Sequence, residues 1–194
     1  MLIQSIMPIW RRRVVPEPAV LNPLLALPVA ADTLAASLGF TPTGMASVCF
    51  RAIEERSFRD VQYDVRDWLN GNEEKVKPTE IAEDEYGFTW ITIYRPTDQF
   101  ESLIADLHTA SSKFADNGFD SQLLCAVTAF RDRGDRHLVI VYLYKHGTFY
   151  PFAPQAEQSR NNQLELRFKE IIEGKLPLES DLRRWFPVWD APVL

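Results

Sequence analysis

Glycine is scarce in this chain, with eight residues in 194, and none of them stands in a phosphate-cradling or dinucleotide-binding pattern. No Gly-x-Ser-x-Gly elbow and no His-Glu-x-x-His helix occurs either. Cysteine is limited to Cys49 and Cys125 and histidine to three scattered positions, too few and too dispersed for a spaced zinc site. Each cysteine sits inside an apolar run, as a buried thiol in a strand does in a reducing compartment; a disulfide between them stays open in principle, but nothing in their spacing asks for one. No apolar run approaches the roughly 18–20 residues of a membrane-spanning helix. Basic charge is in deficit: 21 Lys and Arg against 27 Asp and Glu give a net charge of −6. A chain without a broad positive field reads as no nucleic-acid binder.

What is present is an ordinary globular composition, 46% hydrophobic and 25% charged, enough for one core. Five prolines fall before residue 30 (Pro8, Pro16, Pro18, Pro23 and Pro28), so residues 1–28 read as an irregular arm with a short helix around Asn22 to Leu27. Residues 29–194 read as a single α+β domain. A helix over Val29–Leu38 is followed by three with clear apolar stripes. They cover Ser57–Asn70 (Phe58, Val61, Val65, Leu69), Thr97–Asn117 (Phe100, Leu103, Ile104, Leu107, Phe114) and Asn161–Glu173 (Leu164, Phe168, Ile171, Ile172). Thr97 or Asp98 is the expected cap of the third of these four. Gly39, Gly71, Gly118 and Gly174 follow the helices as left-handed stops.

Strands are expected over Met45–Ile53, Val76–Ala82, Phe88–Tyr94, Leu123–Phe130, Leu138–Tyr144 and Thr148–Phe152. The segment Leu138–Tyr144 is apolar at every position, which demands cover on both faces. Short connections, Arg131–Asp135 and Lys145–Gly147, force antiparallel hairpins. The fold class is therefore α+β: a mainly antiparallel sheet covered by helices. Its helix–sheet order is also similar to secretion-chaperone-like folds, which bind protein partners.

Candidate chemistry is thin. Glu83-Asp84-Glu85 reads as a solvated turn, because neighbouring carboxylates at a hairpin tip diverge while a calcium ion needs six to eight converging oxygens. His108 reads as a packed helical residue and His146 as a turn residue. Neither a metal nor a cofactor is called for, and no catalytic residue is assigned. Two surfaces are unusual. Trp10 beside Arg11, Arg12 and Arg13 suits an anionic membrane surface or an acidic partner, the plain alternative being a loosely held terminus. Trp185 and Trp189, with Phe186 between them, either fold back to close an open side of the sheet or present a sticky patch to a partner. The apolar start of the chain precedes its arginines, the reverse of a secretory signal, which places the protein in the cytoplasm, with contact at the inner membrane face as an open option.

Several stretches carry a family resemblance: Thr43-Gly44 with Val48-Cys49-Phe50; Glu83 through Trp90; Gly118-Phe119 with Gln122 through Cys125; Val141 through Pro154; and Arg184 through Trp189. In that order they resemble the PspAB family, the PspA-associated proteins of actinobacteria and some archaea. The resemblance implies a stress-response (phage-shock) accessory protein. Its partner would be a PspA-type protein or an HtpX-like membrane protease. No enzyme activity and no site residues come with it. The function expected is protein binding in a membrane-stress response. The alternatives are an enzyme with an unrecognised pocket drawing on Tyr86, His146 or Tyr150, and a structural homodimer.

Overall fold

The computed structural model describes residues 18–51, 53–71 and 76–194. Six strands form one sheet: β1 (Thr41–Arg51), β2 (Glu80–Glu83), β3 (Phe88–Tyr94), β4 (Leu123–Arg131), β5 (His137–Leu143) and β6 (Thr148–Phe152). The spatial order is β2-β3-β1-β4-β5-β6, and every neighbouring pair is antiparallel. A small hairpin, β7 (Pro154–Gln155) with β8 (Ser159–Arg160), stands apart from it. The helices are α1 (Leu27–Leu38), α2 (Arg56–Asn70), α3 (Phe100–Asp116) and α4 (Asn162–Ile172). The α+β class follows, and the short connections at 131–137 and 143–148 make the hairpins their length requires.

Strand β5 explains the two-layer build. Leu138, Ile140 and Tyr142 point into one buried layer with the stripes of all four helices, while Val139 and Val141 point into another. Period-2 alternation splits the all-apolar run between two faces. The first layer holds the phenylalanine cluster of Phe50, Phe58, Phe114 and Phe119, with Phe50 and Phe114 rings 4.2 Å apart. Among the described residues no α-helix packs on the second face. It is roofed by the C-terminal chain, whose Trp185, Ala191 and Val193 are buried with Cys49, Trp90, Cys125, Tyr150 and Phe152.

Residues 18–26 are held to the sheet. The Val20 N–H donates to the Tyr144 carbonyl, the Tyr142 hydroxyl donates to the Val20 carbonyl, and Leu24 is fully buried in a 3-10 turn over Asn22–Ala26. Three local expectations are corrected. Helix α3 starts at Phe100 with Gln99 as its first flanking residue and no side-chain cap, so neither Thr97 nor Asp98 caps it. Strand β2 starts at Glu80 rather than Val76, because Pro78 has no N–H to give a ladder. Gly71 ends α2 in a right-handed conformation, unlike Gly39, Gly118 and Gly174.

Gly44 is the position where glycine is required. It lies in a β1 bulge between Pro42 and Ala46, has φ +80°, and a Cβ there would sit 2.1 Å from the Arg95 carbonyl oxygen. The Arg95 N–H donates back to the Gly44 carbonyl at 2.9 Å. Next to this contact, Arg95 Nε is bonded to Asp106 Oδ2 of α3 at 2.8 Å, with both side chains buried.

Candidate functional site

The C-terminal strap is fastened by side chains, since it has little regular structure of its own. The Trp185 indole is only 6% exposed; its ring stacks on Tyr150 and its Nε1–H donates to the Glu179 carbonyl at 3.0 Å. The Tyr150 hydroxyl donates to the Phe186 carbonyl, and Arg160 Nη1 donates to the Trp185 carbonyl. Trp189 is half-buried, edge-on to Phe152 at 4.7 Å. Upstream, Phe149 of β6 makes two backbone hydrogen bonds with the strap: its N–H donates to the Pro177 carbonyl and its carbonyl accepts from the Glu179 N–H.

Glu179 is the polar knot of this attachment. Burial alone would push its carboxyl up, but the Asp181 N–H, the Thr148 hydroxyl and the Arg184 guanidinium together hold it below the usual carboxylate range. A second knot lies beside it. The buried Glu165 carboxylate accepts from the Ala153 N–H and from Arg160 Nε, whose guanidinium also lies over the Phe152 ring. Arg160 Nη2 is buried without a hydrogen-bond partner among the described residues.

Between α4 and the strap these residues frame a groove of about 320 Å³, lined by Arg160, Asn162, Glu165, Leu166, Leu182 and Trp185. Leu166 is 48% exposed, Leu182 51%, and Phe186, next in the chain to Trp185, 61%. Large apolar side chains this open, on neighbouring elements, are the surface feature that calls for explanation.

The other candidates are placed as follows. Trp10, Arg11, Arg12 and Arg13 lie outside the described residues. Trp185 lines the groove from below, and Trp189 lies further along the strap. Tyr86 and His146 lie in turns at the same end of the sheet, but in the β2–β3 and β5–β6 hairpins, with three strand spacings, roughly 14 Å, between β3 and β5. Tyr150 is buried in the second layer, so the three do not converge. Asp84 is a turn-former: its Oδ1 accepts from the Tyr86 and Phe88 N–H groups and its Oδ2 from Trp90 Nε1. Among the described residues no group of three or more His, Cys, Asp or Glu could hold a metal ion, and no helix is long and apolar enough to cross a membrane.

The sequence reading picked the terminal cluster with Trp185, Phe186 and Trp189, naming its two tryptophans as the contacts, and passed over Leu166. Leu166 carried the clearest available signal, an apolar residue on the side of α4 away from the Leu164–Phe168–Ile172 stripe.

Fold and groove together define an α+β protein whose six-stranded antiparallel sheet is covered on one face by helices and on the other by the C-terminal strap. The chain belongs to the PspAB family, PspA associated protein B, whose family model matches residues 2–193. No curated protein and no solved structure matches it.

Proposed function

We propose that the protein is a non-enzymatic accessory module of a PspA-type membrane-stress response, working in the cytoplasm by holding a PspA-type protein at the groove between α4 and the strap. The observation that carries the reading is the trio of exposed apolar side chains Leu166, Leu182 and Phe186, the first two lining the cleft and the third next in the chain to its Trp185. The family description supplies the partner class. Trp185 acts here as the floor that holds the groove's shape, and Leu182 and Phe186 as the contacts.

The test is direct binding between the purified chain and the purified PspA-type protein of the same cell. Leu182→Glu and Phe186→Ser, both at exposed positions, are expected to weaken capture about ten-fold or more while leaving the melting temperature near that of the parent. Unchanged capture by both variants would remove the groove from the account. No binding of the parent to either a PspA-type or an HtpX-like partner would remove the function itself.

A contact with anionic lipid is a second part of the reading. It rests on Trp10 with Arg11, Arg12 and Arg13, together with Val20, Leu25 and Val29, which are exposed on the segment that follows. Co-sedimentation with phosphatidylglycerol vesicles at low salt tests it, and equal recovery with neutral vesicles would refute it.

A further inference from the structure

Cys49 on β1 and Cys125 on β4 face each other as register partners, a juxtaposition that neither their spacing nor the family match assigns. Both are free thiols, 3% and 9% exposed, and both belong to the layer roofed by Trp185, Ala191 and Val193. Directly opposed residues of an antiparallel pair have Cα atoms about 4.5 or 5.5 Å apart. Both values lie inside the roughly 4.4–6.8 Å range that a disulfide spans. The backbone is thus set for closure, and what keeps the sulfurs apart from solution is the strap.

We propose that Cys49 and Cys125 are an oxidation site, a cross-strand dithiol that a peroxide closes to a disulfide when the C-terminal strap lifts. Cys125, the more exposed, attacks first. Its thiolate sulfur takes one peroxide oxygen, the O–O bond breaks, and the departing hydroxide leaves as water with the proton Cys125 gave up. The Cys49 sulfur then attacks the sulfenic sulfur, the S–S bond forms, the S–O bond breaks, and a second water carries away the Cys49 proton. Two thiols lose two electrons, and hydrogen peroxide is reduced to two waters.

The packed state resists this. The facing Cys125 sulfur and burial both hold Cys49 as the neutral thiol, and a neutral buried thiol is a poor nucleophile. Closure also has a mechanical consequence. It draws opposed Cβ atoms from about 4.5–5.5 Å to about 3.8 Å, in the layer on which the strap packs, so the oxidised sheet offers the strap an altered seat. The site does not depend on the partner reading.

The experiment uses the full chain with hydrogen peroxide as the probe, following alkylatable thiols and intact mass. The expected result is loss of both thiols, a monomer lighter by two hydrogens, and recovery with dithiothreitol. Closure should run at least about ten-fold faster in Trp185→Ala than in the parent, as strap opening becomes frequent. If Trp185→Ala is unfolded, Val193→Ala makes the smaller cut in the same roof and is read in its place. Persistent thiols in both parent and variant, sulfinic acid products, or disulfides between chains would overturn the dithiol. Equal rates in parent and folded variant would overturn the gate.

Discussion

The buried Arg95–Asp106 pair offers the sharpest test of how this fold is held. Asp106 lies on the inner side of α3, and Arg95 follows the last residue of β3, beside the Gly44 bulge. Burial has taken both charges from water, so the 2.8 Å contact chiefly replaces lost solvation. Removing one partner takes a charge-assisted bond from a charge that stays buried. Asp106→Ala should therefore cost about 3–5 kcal/mol, or about 6–20 °C of melting temperature at about 2–4 °C per kcal/mol for a chain of this size. The double replacement Arg95→Met with Asp106→Leu removes both charges, keeps comparable volume, and should return stability to within about 1 kcal/mol of the parent. Urea unfolding followed by tryptophan fluorescence, with calorimetry as the second probe, yields the full cycle. The reasoning fails if Asp106→Ala costs less than about 1 kcal/mol, or if the double variant is as unstable as the sum of the singles.

Further outcomes follow from the same geometry. Gly44→Ala should cost well over about 1 kcal/mol, since φ +80° and the Arg95 carbonyl 2.1 Å away both oppose a side chain; the urea midpoint reads it. Tyr150→Phe removes one hydroxyl donor to the Phe186 carbonyl and should cost about 1 kcal/mol, with the strap freed first in hydrogen exchange. Glu179 has its folded-state pKa held below the ordinary carboxylate value, so its contribution is present above that ordinary value and lost as pH falls through the folded one. Melting temperatures from neutral pH to about pH 3 should therefore fall less steeply in Glu179→Gln than in the parent, and identical slopes would refute the assignment.

Much of the fold was legible because it is written in local periodicity. The three helical stripes state which side is buried, the run Leu138–Tyr144 demands cover on both faces, and the short connections at 131–135 and 145–147 fix the hairpins. What was not legible depends on pairs distant in sequence. Asp106 falls on the buried side of α3, yet nothing in the sequence names Arg95 as its partner. The bulge at Gly44 lets Thr41 and Pro42 pair with Arg131 and Phe130, so β1 begins four residues before the expected Met45. Cys49 and Cys125 read as two separate buried thiols because their 76-residue separation conceals that β1 and β4 lie side by side. The groove was hidden for a different reason. Leu166 stands on α4 and Leu182 and Phe186 on the strap, and only the docking of the strap beside α4 brings them into one region.

The sheet edges bear on where a partner would bind. At one edge β2 is four residues long and ends in exposed Glu80 and Glu83, whose charges oppose the addition of another strand. At the other, β6 spends the Phe149 N–H and carbonyl on the strap, and Pro151 has no N–H to offer. Both edges thus leave little backbone for a second copy or a foreign strand to pair with. Side-chain contact is the remaining route. The groove is fastened through Glu179, Arg160 and Tyr150 to the same strap that roofs Cys49 and Cys125. A partner seated on Leu182 and Phe186 would therefore press on the cover of the dithiol, and peroxide closure should slow when the purified PspA-type protein is bound. Closure at an unchanged rate under saturating partner would separate the two sites.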